Sequence, residues 1–432
     1  MALSLYAGTA AFVCYFSMYA YRKPFTAGTF EGQTSWGMDL KAALVLAQVV
    51  GYALSKFMGI KFISEMGPRG RALAICILVA AAQGALGLLW LLEGDWKIVA
   101  IFLNGIPLGM IWGLVFSFLE GRRLTEVLAA ILSASFVVAS GFMKSVGTLL
   151  VQRVGLADDQ MPFVAGLIFA PVLVGAVWML QQIPPPTAED VAQRVRRVPM
   201  DAGQRWRLFR SLAPGLILLT LTYVMLTAYR DLRDNFMPEL WAELGVTVSP
   251  MLFTWTEGAV ALGVLVIMGT LIRIRNNSRA LLINHGLILA GLAILAVGSL
   301  AFQHGVISGS VWMVSLGFGL YMAYVPFNCI LFDRLVAAFR ATGNAGFLIY
   351  LADSFGYLGS VSMLVVKNSV GNQAGWLGYF QDATWLLVAL GVPMTIGALL
   401  YFRSRLGGRR SPGSNLGRSL AGEGYHVAQE AA

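Results

Sequence analysis

The chain has 432 residues, of which 57% are hydrophobic and only 12% charged, about half the charged share of a soluble globular protein. With a mean hydropathy of +0.71, this composition excludes an ordinary soluble domain. The net charge of +9 does not indicate nucleic acid, because the basic residues are dispersed over alternate loops rather than gathered with aromatics on one solvated face.

Apolar runs near the roughly 20 residues needed to cross a hydrocarbon core follow one another along the chain. They are apolar on every face, unlike the short alternating segments of a β-barrel, so they predict helices. In the first half the predicted spans are residues 4–29, 40–64, 72–92, 98–119, 126–150 and 162–181. In the second half they are 211–230 with a polar extension, 250–272, 280–302, 309–332, 343–366 and 383–402. The expected fold is an all-α membrane protein of twelve transmembrane helices in two six-helix bundles. Its domains are residues 1–181, a linker 182–210, residues 211–403, and a disordered tail 404–432.

Arginine and lysine fall in alternate loops: Lys61, Arg69 and Arg71 after the second span, Arg122 and Arg123 after the fourth, Arg273, Arg275 and Arg279 after the eighth. The opposite loops are acidic or mixed, with Glu31 and Asp39, Glu93 and Asp95, and Asp158 and Asp159. By the positive-inside rule both termini are expected in the cytoplasm, and the membrane is expected to be the inner or plasma membrane. No basic region precedes the first apolar run, so no cleavable signal peptide is expected.

The first span contains YAYRKPF, residues 19–25, which places Arg22 and Lys23 in a stretch otherwise apolar from Leu3 to Phe30. A cation at the bilayer centre costs about 2.5–3.5 kcal/mol on insertion scales, so such a residue snorkels to an interface or faces a cavity. The second span carries Lys56, read either near the cytoplasmic gate or at a binding site, and the fifth carries Lys144. The polar stretch 181–211 has three prolines, which favour an extended start, and short surface helices are predicted over 188–197 and 204–210.

The seventh span ends in TAYRDLRDN, residues 227–235. Arg230 there lies 208 residues beyond Arg22 of YAYR, and a second pair of matching stretches, from Met58 and Met268, has nearly the same offset. A duplicated six-helix unit is expected from this. The repeat would bring Arg22 and Arg230 together across a pseudo-twofold axis as a bidentate fork for phosphate, phosphonate or carboxylate. Alternatively, Arg230 pairs with Asp234 at i, i+4 in a solvated helix end. Glu257, early in the eighth span, is read either at the outer edge or buried and neutralising Arg230. Asp353, inside the eleventh span, is read either as a protonatable carboxylate or as a structural partner of Lys144 or another base.

Five stretches carry a resemblance. They are YFSMYAYRKPF (Tyr15, Tyr19, Arg22, Lys23), GYALSKFMG (Lys56), YVMLTAYRDLRDNFMP (Arg230, Pro238), TWTEGAVALG (Glu257) and GNAGFLIYLADSFGYLGS (Tyr357). With twelve helices in two halves, they resemble the major facilitator superfamily, and within it the organophosphate:phosphate antiporters. The resemblance implies exchange of a phosphate monoester for inorganic phosphate. Arg22 and Arg230 would clamp the anion, with Tyr15, Tyr19, Tyr357, Lys23 and Lys56 around it. One departure is that the histidine which the resembled family carries on its fifth helix is missing from residues 131–142, and Lys144 stands on that helix instead.

Two other functions fit the same spans. Titration of Asp353 or Glu257 would make the protein a proton-coupled symporter of carboxylates or other solutes, and binding without flux would make it a membrane sensor. The expected partners are a small anionic solute and the lipid bilayer, with the chain a monomer. No metal, cofactor or catalytic group is expected: the three cysteines lie in three different spans, no two histidines have metal-ligand spacing, and no nucleotide or nucleophile motif occurs in context.

Overall fold

The computed structural model describes residues 2–65, 70–119, 125–185, 202–339, 345–369 and 375–408. In chain order the helices are α1 (Ala2–Met18), α2 (Leu40–Glu65), α3 (Arg71–Leu91), α4 (Trp96–Leu119), α5 (Thr125–Val154), α6 (Met161–Gln181) and α7 (Ala202–Asn235). They continue with α8 (Met237–Glu243), α9 (Leu252–Ile272), α10 (Asn277–Gln303), α11 (Gly309–Cys329), α12 (Leu331–Ala338), α13 (Ala345–Ser369) and α14 (Trp376–Gly408). Among the described residues twelve helices, all but α8 and α12, are long and apolar enough to cross a membrane, as the hydropathy pattern predicts. This is an all-α, multi-pass membrane protein. A small antiparallel hairpin, Thr34–Ser35 with Met38–Asp39, precedes α2. It marks one end of the bundle, the hairpin end; α1 begins and α14 stops at the other, terminal end.

Several boundaries depart from the expected ones. The first span is not one helix through residue 29: α1 stops at Met18, and two 3₁₀ turns follow, Tyr19–Tyr21 and Pro24–Ala27. Pro24 has no N–H and its ring crowds the carbonyl four residues back, which favours a break here, whereas α4, α6, α7, α11 and α14 each continue through a proline. The carbonyls this break frees are taken by other helices: Asn104 Nδ2 donates to Tyr21 O at 3.1 Å, and Gln48 Nε2 to Arg22 O at 3.3 Å. The short helix expected over 204–210 is the first part of α7, whereas the one expected over 188–197 lies outside the described residues. α14 continues to Gly408, into the stretch read as a disordered tail; residues 409–432 lie outside the described set.

Helix pairing repeats between the halves. α1 packs on α5 and α6 as α7 packs on α13 and α14. Likewise α2 and α3 meet α4 as α9 and α10 meet α11, and α3 meets α6 as α10 meets α14. The approach is closest where glycines face backbone: a Cβ on Gly51 would lie 2.4 Å from Phe102 O, and one on Gly105 2.4 Å from Gln48 O. Small residues at such crossings let transmembrane helices pack backbone to backbone. Across the seam, α2 packs on α13 and α5 on α9.

Candidate functional site

The broken end of α1 sets Arg22 into the seam. Its carbonyl is held by Gln48, eight residues into α2 and so about 12 Å along that helix from the hairpin end. The side chain is 4% exposed, which rules out snorkelling to an interface. The guanidinium lies 4.1 Å over the Tyr52 ring, 5.8 Å from that of Tyr19 and 5.9 Å from that of Tyr357. Tyr15 packs edge-on against Tyr19 at 5.5 Å. Among the described residues no carboxylate pairs with Arg22, and its buried Nε has no hydrogen-bond partner.

Arg230 approaches the same aromatic group from the other half, its guanidinium 5.7 Å from the Tyr357 ring and 4.7 Å from that of Tyr324. Nη2 donates to Asp231 Oδ1 at 2.7 Å and to Tyr357 OH at 3.2 Å, and Nη1 donates to Tyr324 OH. Ser360 Oγ donates to the other Asp231 oxygen at 2.7 Å. The two arginines expected to meet therefore flank one tyrosine ring. Arg230 already has a carboxylate, while among the described residues Arg22 has none.

The charges after Arg230 do not form a solvated helix end; all are buried and paired. Asp234 does not pair with Arg230 at i+4. It receives Lys23 Nζ at 2.5 Å, Lys144 Nζ and the Ser140 hydroxyl, all from the first half, which hold it away from its helix neighbour. Lys23 also donates to Asn235 Oδ1 at 2.7 Å, so this expected substrate ligand is engaged on the hairpin side of Arg22. Glu257 is neither at the outer edge nor on Arg230: it is buried and receives both Nη atoms of Arg233, at 2.7 and 3.1 Å. The next carboxylate in sequence, Asp231, reaches Arg230 first.

On the terminal side of Tyr52, Lys56 Nζ lies 2.7 Å from Asp353 Oδ2. The structural partner expected for Asp353, Lys144 or another base, is thus the other base, Lys56, since Asp234 takes Lys144. The Lys56 ammonium is ringed by Tyr52, Tyr350, Trp112 and Tyr357, with centroids 5.4 to 6.0 Å away. Rings at this range stabilise a cation. At the hairpin end Lys41 pairs with Glu239 beside a cavity of about 540 Å³. The bridges Lys23–Asp234, Lys144–Asp234, Lys56–Asp353 and Lys41–Glu239 all join the two halves, and in each the first half supplies the cation and the second the carboxylate.

Among the described residues the membrane-level cluster brings six basic side chains (Arg22, Lys23, Lys56, Lys144, Arg230, Arg233) to four carboxylates (Asp231, Asp234, Glu257, Asp353), a formal surplus of two positive charges. Sequence reasoning misses Tyr52, Tyr223 and Ser360, and the parts played by Tyr324, Asp231 and Asp234. A polar stripe at helical spacing on otherwise apolar helices would have found most of them: Gln48, Tyr52 and Lys56 on α2, Tyr223, Thr227, Arg230 and Asp234 on α7, and Tyr350, Asp353, Tyr357 and Ser360 on α13. Among the described residues no cluster of His, Cys, Asp and Glu is arranged to hold a metal ion.

Residues 24–405 match DUF5690, a family of unknown function, and the chain belongs to that family. The match begins just after Tyr15, Tyr19, Arg22 and Lys23 and takes in the rest of the site. No curated protein matches the chain.

Proposed function

We propose that this DUF5690 member is a secondary transporter that carries a small organic anion by alternating access, with Arg22 and Arg230 as its anion clamp. The observation that carries this reading is the buried surplus of two positive charges, above all the Arg22 guanidinium with no carboxylate of its own among the described residues. An uncompensated cation in the membrane is costly unless something anionic joins it, and a dianion bound between the halves would balance the cluster. Guanidinium forks suit the oxygens of phosphate, phosphonate or carboxylate, and Tyr19, Tyr52 and Tyr357 would line the remaining space.

The resemblance to the major facilitator superfamily and its organophosphate:phosphate antiporters adds a substrate class, a phosphate monoester exchanged for inorganic phosphate. The basic loops support cytoplasmic termini in an inner or plasma membrane. Exchange is favoured over proton symport by the pairing of both carboxylates considered for proton coupling, Asp353 with Lys56 and Glu257 with Arg233. In the empty carrier the unbalanced cations oppose reorientation, and bound anion lowers that barrier.

The test is exchange in proteoliposomes loaded with inorganic phosphate and challenged with phosphate esters, phosphonates and carboxylates. Saturable uptake of one anion class that requires internal anion supports the reading. Uptake that needs no internal anion and collapses with the proton gradient points to symport, and binding without flux to a sensor.

A further inference from the structure

The Lys56–Asp353 bridge between the halves is joined to the anion clamp by a run of hydroxyls. Arg230 Nη1 donates to Tyr324 OH. Tyr223 OH lies 2.9 Å from Tyr324 OH, 3.2 Å from Asn328 Oδ1 and 2.8 Å from Asp353 Oδ1. The direction of this run follows from the donors available. Arginine has no acceptor, so Tyr324 accepts from Arg230, and it also accepts from the Tyr223 hydroxyl. Tyr223 has one proton and three acceptors in reach, of which the carboxylate is the strongest. Tyr324 and Asp353 therefore share the one Tyr223 proton, and the second oxygen of Asp353 holds Lys56 across the seam. The Tyr223 and Tyr324 rings stack at 5.1 Å and 15°, which keeps the hydroxyls aligned, and every member is buried.

Resting on the transporter reading above, we infer that Tyr223 and Tyr324 are positioning residues that report occupancy of the anion clamp to the Lys56–Asp353 bridge, so that the bridge is firm when the clamp is empty and loosens when an anion binds. An anion oxygen is a stronger acceptor for Arg230 Nη1 than a neutral phenol and displaces Tyr324 from it. Freed of Arg230, Tyr324 becomes the better acceptor for the single Tyr223 proton, and the hydrogen bond from Tyr223 that fixes Asp353 weakens. Asp353 loses the contact that holds it in register with Lys56. Opening the terminal end of the bundle is thereby tied to the presence of an anion, which is what suppresses movement of the empty carrier.

Tyr223→Phe removes the link without touching the clamp. Wild type, Tyr223→Phe and Tyr324→Phe are compared in proteoliposomes for phosphate exchange and for net phosphate efflux into anion-free buffer, and in detergent for deuterium uptake along α2 and α13 with and without inorganic phosphate. The expected result for Tyr223→Phe is unchanged phosphate affinity, net efflux raised about 10-fold relative to exchange, and α2 and α13 deprotected even without phosphate. Tyr324→Phe leaves the Tyr223 proton to Asp353 in either state and is expected to lower exchange, with α2 and α13 protected whether or not phosphate is present. A wild-type exchange-to-efflux ratio and wild-type protection in Tyr223→Phe overturn the relay while leaving the transporter reading intact. A wild type that neither exchanges any anion nor changes its deuterium uptake with phosphate overturns the transporter reading, and the relay's trigger with it.

Discussion

Lys23 Nζ sits 2.5 Å from Asp234 Oδ2, and the same carboxylate also holds Lys144, so one acidic side chain of the second half binds two cations of the first. Removing it leaves two buried ammoniums without a counter-charge. Breaking a buried pair from one side costs about 3–5 kcal/mol. Asp234→Asn should therefore lower the unfolding temperature sharply in a thermal melt in detergent. Combining it with Lys144→Met should restore part of the loss.

Asp231 acts on Arg230 in a different way, as a counter-ion that a ligand competes with. Asp231→Asn raises the charge surplus from two to three and frees an Nη2 hydrogen bond. Phosphate should bind roughly 10-fold tighter, equivalent to about 1.4 kcal/mol, with slower exchange because release is slowed. Titration calorimetry beside flux measurements checks both halves of this expectation.

The Arg233–Glu257 fork lies within the second half and touches neither Arg22 nor Arg230. Glu257→Gln should cost stability through the unpaired Arg233, about 3 kcal/mol or more. It should leave the anion selectivity of whatever protein folds unchanged. A changed ranking of anions in a competition assay would contradict this assignment of Glu257.

Gly51 tests the packing independently of charge. Its Cβ position lies 2.4 Å from the Phe102 carbonyl oxygen, so Gly51→Ala must push α2 from α4. Overpacking of this kind typically costs about 1–3 kcal/mol. Because α2 carries Gln48, Tyr52 and Lys56, exchange should fall along with thermal stability.

The fold was legible because lipid leaves the chain few choices: long apolar runs report helices directly, and all twelve are present. Arg22 was legible for the same reason, since a charge in an apolar run needs a purpose, Arg230 through the repeat that matches it to Arg22, and Tyr357 through the resemblance of its helix. Partner choice was not. Lys144, Lys56 and Lys23 are equivalent to a reader of the sequence, and only the packing of α5, α2 and the broken end of α1 decides which carboxylate each one meets. The sequence also hides that α1 breaks at Tyr19, because residues 19–21 continue the apolar run and the charged pair Arg22 and Lys23 comes only after the break. Pro24 was the available signal.

Arg22, buried and without a carboxylate partner among the described residues, is the residue on which the anion clamp depends most. Its most direct test is phosphate exchange by Arg22→Lys in proteoliposomes, since lysine keeps the charge but not the two-pronged geometry. The expected result is exchange lower by at least about 10-fold, on the scale of one lost charge-assisted hydrogen bond, with normal folding and Arg230→Lys behaving alike. Wild-type exchange by the Arg22→Lys protein would contradict the clamp.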